Sequence, residues 1–331
     1  MTNSSSIRSV LITGISGSGG SYLAEYIAHN HPDVAIHGLA RWHSATRDNL
    51  AGLAGRVTVH EADLTDLGSV LTAVDQVRPD AVFHLAAHAN VRASFDTPTM
   101  VLSNNILGTS NLFEAIRLTR QDPLIQLCST SEVYGQVRPE DVPIREDAPL
   151  RPVSPYAVSK VAQDLLGYAY FVSRKMRIIR TRMFTYVNPR RADLFATAFA
   201  RQVARVERGL ATEVVHGNLE SVRTLIDVRD AMRAYWDALV KGEPGEVYNI
   251  GGTVTLTVGQ VLERLIALAS RPIPTRAAEH LMRPADVTMQ IPNVDKFTRA
   301  TGFTPQYSPE ESLRDLLDHC RRDADRELAH R

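Results

Sequence analysis

Short runs of aliphatic and β-branched residues alternate with longer amphipathic stretches through the first half of the chain. Short apolar runs between turn residues are typical of buried strands, and apolar residues spaced by three or four positions are typical of helices. This pattern predicts strands at Ser9–Thr13, Ala35–Leu39, Val57–His60, Ala81–Leu85, Leu124–Cys128 and Arg177–Arg182. It predicts helices at Ser21–Asn30, Leu67–Val77, Asn105–Leu118 and Tyr156–Arg174. Because helices connect the strands, the sequence predicts an α/β fold with a doubly wound parallel sheet.

The alternation of strands and helices changes after about residue 184. Amphipathic helices are predicted at Phe195–Arg208 and Leu313–Glu327, and between them lie stretches rich in glycine, proline and threonine at 242–257 and 271–288. Such stretches are typical of connections. The second half therefore predicts a smaller α/β lobe attached to the sheet.

A glycine-rich turn follows the first predicted strand and opens the first predicted helix. Gly14, Gly17 and Gly20 allow a tight turn and let the backbone approach a pyrophosphate at the helix N-terminus. Glycine-rich turns are common, so the position after a strand and before a helix is what favours dinucleotide binding.

The residues after the second predicted strand bear on the choice of dinucleotide. An acidic residue there would bind the ribose 2′-hydroxyl of NAD, whereas arginine accommodates the 2′-phosphate of NADP. After this strand the chain has Arg41, Ser44 and Arg47 before the next acidic residue, Asp48. The sequence therefore favours NADP, with solvated loop arginines as the alternative.

Four further residues are candidates for the cofactor site. Asp63 and Leu64 follow the third predicted strand, where Asp63 is either a ligand of the adenine amino group or an ordinary loop carboxylate. Leu85 and Ala86 follow the fourth strand, where small residues let the backbone approach a cofactor.

The strongest chemical signal is a set of polar residues at the fifth strand and the following helix. Tyr156 and Lys160 are spaced i,i+4, which places the phenol and the ammonium on one helix face. A nearby positive charge favours an ionised phenol, so Tyr156 is a candidate acid/base for a carbinol or carbonyl. Thr130 could share the same substrate oxygen, and Glu132 adds a carboxylate that simple alcohol oxidation does not need. The alternatives are an exposed helix pair and a solvated carboxylate.

Composition excludes several other classes of protein. Lysine plus arginine and aspartate plus glutamate both number 37, so no net charge favours nucleic acid or an anionic membrane. The two cysteines suggest neither a disulfide framework nor a metal site, and the histidines show no metal-ligand pairing. With no apparent signal peptide or long apolar run, we expect a cytoplasmic protein without bound metal.

The motifs above, with His84–Ala87 and Tyr248–Gly251, resemble the extended short-chain dehydrogenase/reductase family, whose cofactor domain is a Rossmann fold. Within it, the chain is most similar to the nucleotide-sugar 4,6-dehydratases, in particular those of the GDP-mannose type. GDP-4-keto-6-deoxymannose reductases share several of the same segments. The segments that carry this resemblance are Gly20–Glu25, Ser129–Gly135, Pro189–Arg191, Gly217–Leu219 and Arg283–Asp286.

The resemblance implies a reaction in which a tightly bound NADP is recycled in each turnover. Tyr156 would accept the proton of the sugar O4 hydroxyl, Lys160 would lower the Tyr156 pKa and hold the ribose, and Thr130 would orient O4. Glu132 would remove the C5 proton before water leaves from C6. The residues expected at the sugar nucleotide are Ser131, Thr185, Arg191, Asn218, Arg223 and Arg283.

The family's fold implies a cofactor domain of residues 1–187 and 225–252, and a sugar-nucleotide lobe of 188–224 and 253–331. Relatives imply a homodimer or homotetramer. One departure concerns Thr185, which stands where the family usually has an asparagine that contacts the substrate. A reductase or epimerase on the same fold therefore remains an alternative, as does a non-catalytic NADP-binding regulatory protein.

Overall fold

A computed structural model describes residues 7–41, 47–281 and 287–330 of the chain. The strands are β1 Ser9–Thr13, β2 Ala35–Ala40, β3 Val57–Glu61, β4 Ala81–His84, β5 Leu124–Thr130, β6 Arg177–Met183, β7 Tyr186–Val187, β8 Val214–His216, β9 Val222–Thr224, β10 Ile226–Asp227, β11 Val247–Ile250, β12 Thr255–Thr257, β13 Thr275–Ala277 and β14 Met289–Gln290. The α-helices are α1 Ser18–Asn30, α2 Leu67–Val77, α3 Ala93–Asp96, α4 Pro98–Leu102, α5 Gly108–Leu118, α6 Pro155–Arg174, α7 Phe195–Glu207, α8 Val228–Lys241, α9 Val258–Ala267, α10 Asp295–Thr301 and α11 Pro309–Ala329. None of the helices within the described ranges is both long and apolar enough to cross a membrane.

Seven strands form the central sheet in the order β11-β6-β5-β4-β1-β2-β3, and every neighbouring pair is parallel. The predicted doubly wound Rossmann sheet is therefore confirmed. The chain crosses from β3 to β4 at the far side of β1, so the direction of winding reverses between β1 and β4. In such sheets ligands bind outside the carboxyl ends of the strands at this reversal.

Both faces of the sheet are covered by helices, which explains why its strands are apolar at consecutive positions. On β1, Leu11 and Ile12 point to opposite faces, and both are fully buried. Ile12 belongs to a cluster that includes Trp236 of α8, and Leu11 belongs to one that includes Phe113 of α5. Burial on both faces fixes the register of β1 and thus the position of the turn that follows it.

A second group of helices forms the smaller lobe around its own apolar cluster. Val203 of α7, Val261 of α9 and Leu316 of α11 are fully buried there. Strand β9 lies between β12, to which it is antiparallel, and β14, to which it is parallel. Between segments of this lobe the chain returns to the large sheet, where β11 pairs with β6.

Several predicted boundaries differ from the structure, and three of them bear on the site. Helix α1 begins at Ser18 rather than Ser21, because the glycines counted as part of the turn lie in its first turn. Strand β5 continues to Thr130 rather than ending at Cys128, because its pairing with β6 extends to Thr130 and Met183. The predicted helix from Asn105 begins as a π-helical turn at Ser103–Leu107 before α5.

Candidate active site

The glycine-rich turn connects β1 to α1 at the carboxyl edge of the sheet. Gly14 has a φ of +70°, and a Cβ there would lie 2.9 Å from the Cα of Ala86. A Cβ on Gly20 would overlap the carbonyl oxygen of Gly14, so the first turn of α1 can pack against the loop only because position 20 has no side chain. Gly17 is the N-cap residue and cannot cap the helix with a side chain, so backbone N–H groups of the first turn are available to bind an anion.

A cavity of about 730 Å³ opens above this turn. Its lining joins two groups of predicted residues, listed here together: Gly14, Gly17, Gly20, Arg41, Leu64, Leu85 and Ala86 from the predicted cofactor set, and Thr130, Ser131, Glu132, Tyr156, Lys160, Thr185 and Arg191 from the predicted catalytic and substrate sets. The cavity therefore unites the phosphate-binding turn with the acid/base groups. The three glycines of the turn, with apolar Leu64 and Leu85 also lining the cavity, fit a dinucleotide.

Thr130 and Glu132 reach the cavity because β5 ends where a 3-10 helix begins. Thr130 is the last residue of β5, and the 3-10 helix covers Ser131–Tyr134. The Glu132 backbone N–H donates to the Thr130 hydroxyl over 3.3 Å, and the Thr130 side chain is among the groups that lower the pKa of Tyr156. Thr130 thus brings the end of the strand close to the phenol.

Tyr156 and Lys160 lie in the first turns of α6, as their spacing predicts. Ser154 caps the helix by accepting a hydrogen bond of 3.1 Å from the Ala157 N–H, and Pro155 occupies the first turn. Tyr156 is 7% exposed and Lys160 is 3% exposed, so both are held by packing rather than lying on a solvated helix face. The Lys160 ammonium donates to the carbonyl oxygen of Cys128 in β5.

The charges around Tyr156 differ from those expected from the sequence. Burial raises the pKa of Tyr156 above its ordinary value of 10, and the Arg191 charge is the strongest influence that lowers it. Burial also lowers the pKa of Lys160. We expected Lys160 to be the cation that lowers the phenol pKa, but Arg191 has the more prominent effect in this structure.

Glu132 is half-buried and bonded to a residue that sequence reasoning missed. The side-chain amide of Gln290, in β14, donates to the Glu132 carboxylate over 2.9 Å. Tyr186, Tyr235 and His88 also line the cavity and were not predicted. These residues belong to no sequence motif, so their place in the cavity could be identified only from the three-dimensional structure.

The predicted cofactor residues are placed as follows. Arg41 lines the cavity near His88, whose pKa is lowered first by burial and then by the Arg41 charge. The Asp63 carboxylate accepts a hydrogen bond of 2.9 Å from the Thr65 N–H, as loop carboxylates do. Ser44 lies outside the described residues. The backbone of Arg47 begins a 3-10 helix at Arg47–Leu53, but its side chain lies outside what the structure describes.

Two predicted substrate residues lie in the smaller lobe rather than among the described residues that line the cavity. Asn218 accepts a hydrogen bond of 2.9 Å from the Glu220 N–H. Arg223 is 8% exposed and donates to the carbonyl oxygens of Val287 and Thr288. Arg283 falls outside the described residues.

Comparisons with known sequences point to one family. The model of a family described as GDP-mannose 4,6 dehydratase matches residues 11–316. The chain is 31% identical to GDP-6-deoxy-D-mannose reductase of Pseudomonas aeruginosa, over 93% of the chain and 95% of that protein. It is 27% identical to GDP-mannose 4,6-dehydratase of Yersinia enterocolitica, over 94% and 93%.

Solved structures with the same fold include nicotinamide complexes. RMD from Pseudomonas aeruginosa, complexed with NADPH, superposes with a TM-score of 0.82 at 28% identity and covers 96% of this chain and 99% of its own. UDP-glucose 4-epimerase of Thermus thermophilus, complexed with NAD, superposes with a TM-score of 0.84 at 28% identity and covers 95% and 99%.

Proposed function

The chain belongs to the GDP-mannose 4,6-dehydratase family of the extended short-chain dehydrogenases/reductases, and we propose that it is an NADP-dependent 4,6-dehydratase of GDP-mannose or a related GDP-sugar. Family membership makes it a nicotinamide-dependent enzyme of nucleotide-sugar chemistry. The observation that carries the dehydratase proposal is the Glu132 carboxylate, which lines the same cavity as Thr130, Tyr156 and Lys160. One acid/base serves C4 of the hexose, and a second serves C5.

The residues divide the reaction between two carbons. Tyr156 accepts the proton of the C4 hydroxyl as C4 becomes a ketone, and Thr130, which lines the cavity beside Tyr156, orients that oxygen. The ketone acidifies the C5 hydrogen, which Glu132 removes as a proton. Glu132 then returns a proton to the C6 hydroxyl, which leaves as water. A nicotinamide bound in the cavity would take hydride from C4 and return it to C6, and a proton exchangeable with solvent is added at C5 at the same stage, so the net change is loss of water.

NADP is proposed over NAD because of Arg41. This arginine follows β2 at the edge of the cavity, where a guanidinium can form a fork with a 2′-phosphate. The NADPH complex of the Pseudomonas aeruginosa relative supports the same choice. Ser44 and Arg47 remain further candidates in the loop that follows.

The smaller lobe is proposed to hold the nucleotide diphosphate. In this proposal residues 1–187 and 225–252 bind the cofactor, and residues 188–224 and 253–331 close over the sugar nucleotide. Arginine forks bind diphosphates well, and the proposed ligands are Arg191, Arg223 and Arg283, together with Asn218. Ser131 and Thr185 line the cavity where the hexose would lie.

A reductase of a GDP-4-keto-6-deoxy-sugar is the second candidate. It is favoured by the 31% identity to the Pseudomonas aeruginosa reductase and by Thr185 in place of the family's asparagine. Such a reductase would use Tyr156, Lys160 and Thr130 but would not need Glu132 to remove a C5 proton.

We also propose that two copies of the chain pair through α6. Val158, Leu165 and Val172 recur every seven residues on this helix and are exposed, with Leu165 at 52%. Met100 and Leu107, also seven residues apart, are exposed on the neighbouring helical segment. Two helices that present apolar residues at this spacing suit a symmetric helical interface.

One incubation distinguishes the two candidate activities. Purified enzyme carrying its bound cofactor is incubated with GDP-mannose in deuterated water, without added reductant. A dehydratase yields a 4-keto-6-deoxy product with solvent deuterium at C5 and the original C4 hydrogen at C6. Absence of this product with GDP-sugars, together with NADPH consumption on a 4-keto-6-deoxy sugar, would establish the reductase instead.

A further inference from the structure

Gln290 connects the smaller lobe to the proposed C5 base. Its side-chain Nε2 donates to Glu132 Oε1 over 2.9 Å, across 158 positions of sequence. Gln290 is 3% exposed and Glu132 is half-buried, so the hydrogen bond is partly shielded from bulk water. A shielded bond between an amide and a carboxylate is stronger than an exposed one.

The backbone that carries Gln290 is itself held in place. Gln290 pairs with Arg223 in the register of β14 and β9. The Arg223 guanidinium donates to the Val287 carbonyl oxygen over 2.6 Å and to the Thr288 carbonyl oxygen over 3.3 Å. The Val222 N–H donates to the same Thr288 oxygen over 2.7 Å. Gln290 therefore extends from a strand whose backbone is held by hydrogen bonds. Its amide can hold the Glu132 carboxylate in one position.

A second hydrogen bond joins the residue before β14 to the segment that follows Glu132, without involving the Glu132 side chain. The Thr288 N–H donates to the side-chain oxygen of Gln136 over 3.3 Å. Gln136 is exposed. Each glutamine thus connects residues 131–136 to residues 288–290, but of the two only Gln290 bonds the proposed base.

We propose that Gln290 is a positioning residue, which holds one oxygen of Glu132 so that the carboxylate is aimed at C5 when the lobe is closed over a sugar nucleotide. The inference rests on the proposed dehydratase function. A base held by a fixed donor loses less freedom in the transition state than a base on a mobile side chain. The sugar-binding lobe would in this way contribute to the chemistry as well as to binding.

The test compares Gln290→Met with Gln136→Met in the full-length enzyme. Gln290→Met keeps the length of the side chain and removes the donor. In GDP-mannose and deuterated water, we expect Gln290→Met to slow C5 deuterium incorporation by about ten- to a hundredfold. The rate at which hydride from C4 of the hexose reduces the cofactor should stay within about twofold of the wild type, and so should KM. Tyr156 and Thr130 are unchanged in this variant. Gln136→Met should behave as the wild type in both steps.

Gln290→Glu provides a second variant of the same shape. It places a carboxylate against Glu132, so it should slow the C5 step at least as much as Gln290→Met while the C4 step persists. Equal losses in both steps, or a C5 rate unchanged in Gln290→Met, would overturn the positioning role.

A stability cycle separates this inference from the proposed function. Gln290→Met and Glu132→Met should lower the urea midpoint non-additively, because each alone removes the same hydrogen bond. If the wild type does not dehydrate any GDP-sugar, the proposed function fails and the positioning role falls with it, while non-additivity still establishes the bond. If the wild type dehydrates GDP-mannose and the two losses add, the inference alone fails.

Discussion

The Asp164 carboxylate on α6 accepts two hydrogen bonds from the Arg182 guanidinium on β6, at 2.9 and 3.2 Å. Arg180 donates a third, at 3.0 Å. Burial acts to raise the pKa of Asp164, but the hydrogen bonds and charges of the two arginines hold it below its ordinary value. This ion cluster fixes the helix that carries Tyr156 and Lys160 against the sheet.

Asp164→Asn should destabilise the fold by about 3–5 kcal/mol, because it leaves two buried guanidinium groups without their counter-charge. Urea unfolding measures the loss. The control is Asp141→Asn, which removes the partner of Arg138 on the surface and should leave the midpoint nearly unchanged. A loss in Asp164→Asn no larger than in the control would show that the cluster is dispensable.

His84 should make the stability of the fold depend on pH. Burial, and then the Lys160 charge, lower the His84 pKa from 6.5 to about 3. Between these values the unfolded chain binds a proton that the folded chain does not. The contribution of His84 to the free energy of unfolding is therefore complete above pH 6.5. It is lost as the pH falls towards 3, at up to about 1.4 kcal/mol per pH unit.

His84→Gln isolates this contribution, since the amide does not titrate in that range. The variant is expected to be less stable at neutral pH, because His84 is hydrogen-bonded to the hydroxyls of Thr13 and Thr109. The difference in unfolding free energy between wild type and variant should shrink as the pH falls from 6.5. A difference that is constant across this range would contradict the assignment.

Arg191→Met should shift the pH dependence of catalysis. Arg191 lowers the Tyr156 pKa, so its removal should move the ascending limb of kcat/KM, which reports the phenolate, to higher pH. The neighbouring residue supplies the control, because Arg190 bonds Ser21 and Glu25 on α1 instead. Arg190→Met should leave the limb in place. If the ascending limb of kcat/KM lies at the same pH in the wild type and in Arg191→Met, then Arg191 does not control the ionisation of Tyr156.

Arg41→Ala should weaken binding of NADPH by about ten- to a hundredfold while NADH binding changes little, because only NADPH carries the 2′-phosphate that the guanidinium would bond. Titration of the apoenzyme with both cofactors measures the ratio. Arg271→Ala, an exposed arginine in the smaller lobe, should leave both affinities unchanged. Equal weakening of NADPH and NADH would contradict a 2′-phosphate role for Arg41.

The site divides into a part that local sequence predicts and a part that it does not. Tyr156 and Lys160 share a helix face by spacing alone, and Thr130 and Glu132 lie within three residues at the end of a buried strand, so their convergence follows from the order of the sheet. Gln290 bonds Glu132 across 158 positions, and Tyr235 reaches the cavity from α8. Neither residue belongs to a motif, and their placement depends on how the lobe and α8 pack. The effect of the Arg191 charge on the Tyr156 pKa likewise depends on how deeply the two residues are buried, and this cannot be predicted from their spacing in the sequence.

Leu165→Glu should separate the proposed pair of subunits. Leu165 is 52% exposed at the middle of the Val158–Leu165–Val172 series, so a carboxylate there would be buried without a partner in a symmetric helical interface. Size-exclusion chromatography with light scattering should show the mass falling to that of one chain, with the circular dichroism of the fold retained. Leu328→Glu, at an apolar residue 41% exposed near the end of α11, should leave the mass of the assembly unchanged. An unchanged mass in Leu165→Glu, or the same dissociation in Leu328→Glu, would rule out α6 as the interface.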